Sequence, residues 1–223
     1  MMTLTESNIT LVDAAADKTY PLSRLEQAGI TVNDVAGLLA TAFFDTPQAE
    51  WLVPSAAERF GPLQNHFALG VKYALLHGHI DLRSDMRAVA VWVHASDGYL
   101  PAPEPDYDEL LKQGTGPHYE RFETFDSTMA AYHPDGVGRQ YLECVGVLPD
   151  FQGYGYGTAL LDLNHRRLDE MGMPAFLEAA TTRNVAHYQR HGYNSCGTYN
   201  LPLNGPAMHR MWREPRRVSD LAT

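Results

Sequence analysis

The sequence predicts an α/β fold of the α+β type, in which helices cover both faces of a mixed, largely antiparallel sheet. Amphipathic helical patterns and a β hairpin precede residue 95, and a regular alternation of strands and helices follows residue 140. At 223 residues and 44% hydrophobic content, the chain can bury the core of one domain. We therefore expect a single domain over residues 1–223, with an insert at about residues 95–138.

The first part of the chain is predicted to form a strand, two helices and a hairpin. Residues 9–12 form a candidate strand. After the capping residue Thr31, apolar residues recur at helical spacing. A second helix is predicted over residues 55–76, with a kink or break near Pro62. Residues 80–93 are rich in β-branched side chains and predict the hairpin.

Residues 95–138 interrupt this regular pattern of predicted helices and strands. A proline-rich acidic loop begins at Pro101, and residues 107–113 and 118–132 are candidate helices. A long excursion inside a compact domain often forms a lid or specificity wall over a site, and a solvated surface insert is the alternative. The sequence leaves both interpretations open.

The last part of the chain returns to a regular pattern. Its order is strand, helix, strand, helix and then two strands, which is typical of a mixed sheet with helices on both faces. The predicted elements are strand 140–147, helix 155–171, strand 174–179, helix 184–191 and a hairpin through Tyr199 and residues 208–212.

Composition excludes several classes of partner. A formal net charge of −10 argues against nucleic-acid binding and mildly favours cationic partners. No apolar run approaches the roughly 20 residues that cross a bilayer, and residues 1–8 lack the basic and apolar regions of a secretion signal. Cys144 and Cys196 are too few for a disulfide framework. We expect a cytoplasmic protein that binds neither nucleic acid nor membranes, with its oligomeric state left open.

The most informative segment is a strand ending at Pro149 and a glycine-rich turn that opens directly into a helix. Gly153, Gly155 and Gly157 let backbone N–H groups crowd around an anion, and the helix adds its positive dipole end at the same place. A pyrophosphate would fit such a turn.

Three alternatives compete with this interpretation. A triphosphate-binding loop needs Lys-Ser/Thr after the last glycine, whereas Thr158 and Ala159 follow here. A dinucleotide fingerprint would use Glu178 as its ribose-binding acid, but the spacing is G-x-G-x-G and too little chain follows for the further βα units. A helix entry in which glycine only permits tight packing is the third. The Val-Gly-Val strand end and Gln152 favour the anion site.

Two segments together resemble a known superfamily. Residues 145–149 followed by residues 152–157 are similar to the acetyl-coenzyme A binding motif Q/R-x-x-G-x-G/A of the GNAT superfamily of N-acyltransferases. Residues 174–178, Arg183-Asn184 and residues 188–193 resemble its later strand, tyrosine-bearing helix and G-F/Y turn. The motif-bearing resemblance covers roughly residues 140–213 and implies a GNAT-like fold.

Within the superfamily, the chain most resembles the subfamily of puromycin N-acetyltransferases, in residues 88–92, 145–157 and 174–178. This implies an enzyme that transfers an acetyl group from acetyl-CoA to the primary amine of a small molecule by direct attack on the thioester, without a metal. An antibiotic or another amine-bearing natural product would be the acceptor, in detoxification or self-resistance. A peptide or protein N-acetyltransferase and a non-catalytic acyl-CoA-binding sensor are the alternatives.

The resemblance also implies how the coenzyme is held. The N–H groups of Val145 and Val147 would bond the pantetheine arm and the thioester oxygen, and the Asn184 amide would bond the pantetheine chain. The full set of implied coenzyme contacts is Val145, Val147, Gln152, Gly153, Tyr154, Gly155, Tyr156, Gly157, Thr158 and Asn184.

The resemblance makes Tyr188 the general acid for the departing thiolate, because a tyrosine with an ordinary pKa of about 10 is protonated at neutral pH. Period-two alternation predicts that Tyr141, Glu143, Val145 and Val147 share one side of their strand and that Cys144 lies opposite. Glu143 is therefore the leading general base, with a raised pKa if desolvated, and a substrate anchor is its alternative role.

Substrate contacts and metal ligands follow from weaker patterns. Phe44, Trp92 and Tyr141 are candidate acceptor-binding residues, although a place in the core is the alternative for Trp92. His187 and His191 lie four residues apart on a predicted helix, but no third ligand is evident in the sequence, so no metal is expected.

Overall fold

The computed structural model describes residues 9–12, 19–20 and 29–216, and its centre is one mixed sheet. Residues 1–8, on which the expected absence of a secretion signal rests, lie outside the described residues. The strands in the described part are β1 (Ile9–Val12), β2 (Thr19–Tyr20), β3 (Gly78–Arg83), β4 (Ala88–Ala95), β5 (Arg139–Val147), β6 (Ala175–Ala179), β7 (Asn194–Asn200) and β8 (Ala207–Arg213).

The spatial order of the strands is β2-β1-β3-β4-β5-β6-β8-β7. The β1–β3 and β5–β6 pairs are parallel, and the other neighbouring pairs of this sheet are antiparallel. The mixed, largely antiparallel sheet predicted from the sequence is therefore confirmed.

Helices pack on both faces of the sheet, as predicted. Val35 and Val71 belong to the core on one face, and Leu160 and Leu168 belong to the core on the other. No helix among the described residues is both long and apolar enough to cross a membrane. The described α-helices are α1 (Val32–Phe43), α2 (Pro47–Leu52), α3 (Ala56–His77), α4 (Tyr107–Thr115), α5 (Tyr119–Tyr132), α6 (Tyr156–Met171) and α7 (Thr182–Arg190).

Local sequence signals account for most helix ends. Thr31 and Asp34 form a capping box at the start of α1, with Asp34 N–H donating to Thr31 Oγ1 at 3.2 Å. A kink or break was predicted near Pro62, and the break is wrong because α3 continues through this residue. Proline removes one helical hydrogen bond, but burial of Leu63 and Val71 on the same helix offsets that loss.

A β-bulge in β5 positions the site. The β4–β5 register shifts at Val91/Trp92, which leaves Glu143 without a partner residue in β4. Before the bulge, Gln140 N–H donates to Pro174 O on the β6 side, and after it Leu148 N–H donates to Arg87 O on the β4 side. The bulge therefore reverses which N–H groups face β4.

The same strand separates from β6 beyond the bulge. The parallel β5–β6 pairing extends only from Gln140 to Leu142 on β5. Because N–H directions alternate along a strand, the bonds at Gln140 and Leu148 imply that the N–H groups of Val145 and Val147 point away from β4. These two donors thus face the opening between β5 and β6.

Candidate active site

The turn after β5 forms a cradle of backbone donors. Gly153 and Gly155 have φ of 86° and 79°, which favours glycine, and a Cβ built on either would meet open space. α6 then begins without a side-chain cap. The N–H groups of Tyr156, Gly157 and Thr158 lie ahead of the helical hydrogen-bond ladder, so they remain available to an anion.

This cradle adjoins the open end of β5. A Cβ built on Gly157 would lie 3.4 Å from Val147 Cγ2, so the first turn of α6 packs directly against the strand. Gln152 Nε2 donates to Val147 O at 3.3 Å and fixes the turn. The Tyr154 side chain is exposed. The Tyr156 ring instead contacts Arg83, whose guanidinium carbon lies 3.7 Å from the ring centre. The donor set fits a polyphosphate linked to a chain that enters between β5 and β6.

Helix α7 brings two further predicted residues to this region. Thr181 caps the helix by accepting the Asn184 N–H at 3.2 Å. Tyr188 is buried in the apolar cluster that contains Leu142 and Val145. Burial raises the pKa of Tyr188 above its ordinary value, and a charge at Cys144 would raise it further. The phenol is therefore protonated at neutral pH and can act as a proton donor.

A cavity of about 520 Å³ lies on the α1/α3 face of β5 and β6. Glu143 of β5 and Glu178 of β6 both line it, so it reaches the region where the two strands separate. Residues from the insert form part of its wall, which favours the specificity-wall interpretation. These insert residues include Leu100, Tyr107, Phe125, Asp126 and Met129.

Glu143 is the most unusual polar group of the cavity. Its Oε2 is buried and has no hydrogen-bond partner among the described residues. Burial raises the pKa of Glu143 to about 7, although His66 lowers it and Asp126 adds to the increase. A carboxyl with this pKa exchanges protons readily at neutral pH, as a general base must.

The bulge corrects the predicted arrangement of side chains along β5. Tyr141, Glu143 and Cys144 line the cavity, whereas Val145 and Val147 pack on the α6 face. The alternation predicted from the sequence is therefore wrong beyond Leu142, because the extra residue changes the phase. Burial and Glu143 raise the pKa of the Cys144 thiol well above its usual range, so it is a poor nucleophile.

The structure separates the three predicted acceptor contacts. Tyr141 lines the cavity and donates to Glu178 Oε2 at 3.1 Å. Trp92 is fully buried on the α6 face, because its position in β4 directs it away from the cavity, and it is not among the lining residues. Phe44 is also absent from the lining, where the preceding residue Phe43 takes this place. The prediction for Trp92 is therefore wrong, and Phe44 does not line this cavity.

A hydrogen-bonded group in the cavity wall was missed by the sequence analysis. His66 Nε2 lies 2.9 Å from Asp126 Oδ1, and the Tyr107 hydroxyl donates to Asp126 Oδ2 at 2.7 Å. Burial alone would lower the pKa of His66, but Asp126 and Glu143 outweigh it and raise the pKa. These residues come from α3, α4 and α5, so no local motif reveals them.

A glycine inside a predicted helix, Gly70, could have indicated the site from the sequence. A Cβ at this position on α3 would overlap Glu143 Oε1. A glycine inside a helix costs about 1 kcal/mol relative to alanine, so its presence suggests a close approach. The Glu143 carboxylate fills the space that Gly70 leaves.

We expect Gly70→Ala to lower kcat/KM by roughly tenfold or more while the protein stays folded, because the added methyl group displaces the Glu143 carboxylate. Gly61→Ala is the matched control, since it lies on the same helix and its Cβ would meet nothing. This control should keep full activity and gain about 0.5–1 kcal/mol of stability. Equal activities of the two variants in steady-state assays would contradict the role of Gly70.

Glu143→Gln should increase thermal stability at alkaline pH. The folded-state pKa of about 7 lies above the unfolded value of 4.5. The contribution of the protonated Glu143 carboxyl to the free energy of unfolding is therefore fully present below pH 4.5 and is lost as pH rises through 7. The neutral amide avoids this loss, which is up to about 3 kcal/mol. Melting curves at pH 5 and pH 8 should show a larger gain for the variant at pH 8, and an equal gain at both would contradict this expectation.

A histidine cluster lies away from the cavity. Ligand atoms of Asp162, His165 and His191 lie within 4.8 Å of one another, so the sequence analysis missed possible partners of His191. His191 Nδ1 is 3.1 Å from Asp162 Oδ1, and His165 Nε2 is 3.1 Å from the Tyr193 hydroxyl. Burial and Arg213 lower the pKa of His165 to about 3. These hydrogen bonds give one ring nitrogen of each histidine a partner within the protein.

Parts of this chain are similar to known acetyltransferases. The model of the acetyltransferase (GNAT) domain matches residues 125–195. Mycothiol acetyltransferase from Propionibacterium freudenreichii subsp. shermanii is 39% identical over 67 residues, which are 29% of this chain and 22% of that protein. The chain thus spans about a fifth of the length of this curated relative.

Solved structures agree in fold. A histone acetyltransferase HPA2-related acetyltransferase from Corynebacterium glutamicum has a TM-score of 0.57 at 23% identity, covering 83% of this chain and 91% of that chain. Agmatine N-acetyltransferase, in the apo form of a point mutant, has a TM-score of 0.51 at 16% identity, covering 83% and 96%. At these identities the likeness shows the fold alone. The segment that matches the acetyltransferase (GNAT) domain model includes β5, the glycine turn, α6, β6 and α7.

Proposed function

We propose that this chain is an acetyl-CoA-dependent N-acetyltransferase that acts on the primary amine of a small molecule. The observation that carries the proposal is the meeting of two features at β5. Free N–H groups and the glycine cradle lie where β5 and β6 separate, and the unpartnered carboxylate of Glu143 lies in the adjoining cavity.

The backbone donors hold and polarise the acetyl donor in this proposal. The cradle from Gly153 to Thr158 binds the pyrophosphate, and the Asn184 amide bonds the pantetheine chain. The N–H groups of Val145 and Val147 bond the pantetheine arm and the thioester oxygen. Donors of this kind stabilise the charge that develops on the oxygen as the amine attacks, and losing one typically costs roughly 10²-fold or more in rate.

Two side chains handle the protons. Glu143 takes one proton from the bound ammonium, which frees the nitrogen lone pair to attack the thioester carbonyl carbon. As the carbon–sulfur bond breaks, Tyr188 gives its proton to the sulfur and regains one from the attacking nitrogen. The amine thus loses two protons, of which one ends on the thiol and one leaves through Glu143 to solvent.

The cavity favours a small acceptor over a peptide. An extended peptide requires an open groove beside the thioester. Here α4, α5 and the loop around Leu100 wall the cavity opposite β5 and β6. A small amine-bearing natural product, such as an antibiotic, is the acceptor class that the resemblance to puromycin N-acetyltransferases implies.

The test is an assay of thiol release from acetyl-CoA against a panel of small amines and short peptides, with product masses measured. We expect small primary amines to accelerate thiol release and to gain one acetyl group. If acetyl-CoA binds but no amine or peptide accelerates thiol release, the chain is an acyl-CoA-binding sensor and the proposal fails. Acetylation of peptides alone would support the peptide alternative.

A further inference from the structure

We propose that the acceptor is a monoamine with an apolar body, such as an aryl- or alkylamine, and that the cavity discriminates against polyamines and aminoglycosides. This inference rests on the proposed function and specifies the substrate class. It follows from which polar groups of the cavity already have partners and which do not.

Two other carboxylates in the cavity, the partly exposed Asp126 and Glu178, have a hydrogen-bond partner on each oxygen. Asp126 uses one oxygen for His66 and the other for Tyr107, at 2.9 and 2.7 Å. Glu178 accepts the hydroxyl groups of Tyr141 and Tyr199 at 3.1 and 2.9 Å. Because each oxygen of these carboxylates has a donor, neither demands a ligand ammonium.

Glu143 differs from both. Its carboxylate contacts the surface of Gly70, and its Oε2 is buried without a hydrogen-bond partner among the described residues. A buried unpaired carboxylate is costly, so a cationic or hydrogen-bonding ligand group is favoured at this point. Among the described carboxylates of the lining, Glu143 is thus the one with a buried unpartnered oxygen, which makes it the preferred position for an ammonium group.

Of the remaining charged groups of the lining, Asp135 lies at the exposed rim, whereas Arg139 is fully buried. Asp135 is exposed, and Arg139 is close enough for the two to interact electrostatically. The Arg139 guanidinium donates to the carbonyl oxygens of Gly98 and Val137. This arrangement offsets the charge of Asp135, so the rim provides no second buried site for an ammonium group.

The rest of the wall is mainly apolar. Phe43, Leu52, Leu63, Phe67, Phe125 and Met129 line the space around the polar groups. A second ammonium, or the many hydroxyl groups of an aminoglycoside, would lose water here and find no second unpaired carboxylate, since the other unpartnered buried acceptor of the described lining is the neutral amide oxygen Gln48 Oε1. The volume of about 520 Å³ suits a compact organic body.

The first test compares n-hexylamine with 1,6-diaminohexane, which have the same chain length and differ by one amine. We expect kcat/KM to be roughly 10- to 100-fold higher for n-hexylamine, because the second ammonium is left unpaired. 2-Phenylethylamine should match or exceed n-hexylamine, and kanamycin should be a poor acceptor. Equal or better use of 1,6-diaminohexane or kanamycin would overturn the inference while the proposed function stands.

A second test adds a carboxylate to the cavity. Ala102 lies on an exposed loop and lines the cavity, so Ala102→Asp is compatible with folding, and Ala102→Asn is the matched neutral control. We expect Ala102→Asp to raise the 1,6-diaminohexane to n-hexylamine ratio of kcat/KM at least about fivefold over Ala102→Asn. An unchanged ratio would contradict the inference that the lack of a second carboxylate partner limits the use of diamines. If none of these amines accelerates thiol release by the wild-type protein, the proposed function itself fails.

Discussion

Tyr188→Phe is expected to lower kcat by roughly 10²-fold or more while the KM for acetyl-CoA changes little. The substitution removes only the hydroxyl group, so packing in the cluster with Leu142 and Val145 is retained. Without a proton donor, the thiolate must leave as an anion from a buried site. Single-turnover measurements of thiol release at saturating acetyl-CoA and amine would measure this loss directly.

Tyr193→Phe is the matched control for this experiment. Tyr193 is buried beside Tyr188, with ring centres 5.8 Å apart, and its hydroxyl is hydrogen-bonded to His165. The control should lose a modest amount of stability and keep kcat within about twofold. An undiminished kcat in Tyr188→Phe, or an equal loss in both variants, would remove Tyr188 as the general acid.

Glu143→Gln should lower kcat by roughly 10²-fold at pH 8 and abolish the acidic limb of the pH profile. In the wild-type protein, burial raises the pKa of Glu143 to about 7. If the Glu143 carboxylate is the general base, kcat at saturating amine should rise with pH up to about 7 and level off above it. The amide has no proton to exchange, so its residual activity should show no such limb.

Glu178→Gln distinguishes Glu143 from the other cavity carboxyl with a similar pKa. Burial also raises the pKa of Glu178 to about 7, against the effect of its bonds from Tyr199 and Tyr141. If Glu143 is the base, Glu178→Gln keeps the acidic limb near pH 7. A limb that survives in Glu143→Gln and disappears in Glu178→Gln would transfer the base role to Glu178.

Contiguous residues encoded much of the fold. The capping box at Thr31, the apolar spacing of α1 and α6, and the glycines at 153 and 155 act over a few positions, so their consequences could be predicted. The same holds for the motif resemblance, because the turn, its preceding strand and α7 each carry short patterns. Helix α2 escaped prediction because Thr46 and Pro47 signal both the end of one helix and the start of the next.

The acceptor side was much harder to predict. Trp92 and Phe43 have similar apolar character in the sequence, yet only Phe43 reaches the cavity. The bulge at Glu143 depends on pairing with β4, and no sequence signal within β5 predicts it. His66 and Asp126 are 60 positions apart and meet only because α3 and α5 pack together.

The sequence by itself determined the sheet class, the glycine turn and the segment that resembles a coenzyme-binding motif, because short-range periodicity and glycine conformation produce these features. Only the tertiary structure decided which way Glu143 points, that Trp92 is core and that the insert walls a cavity with one unpaired carboxylate. The physical reason is that side-chain direction after a bulge, burial and carboxylate pairing all depend on residues distant in the chain.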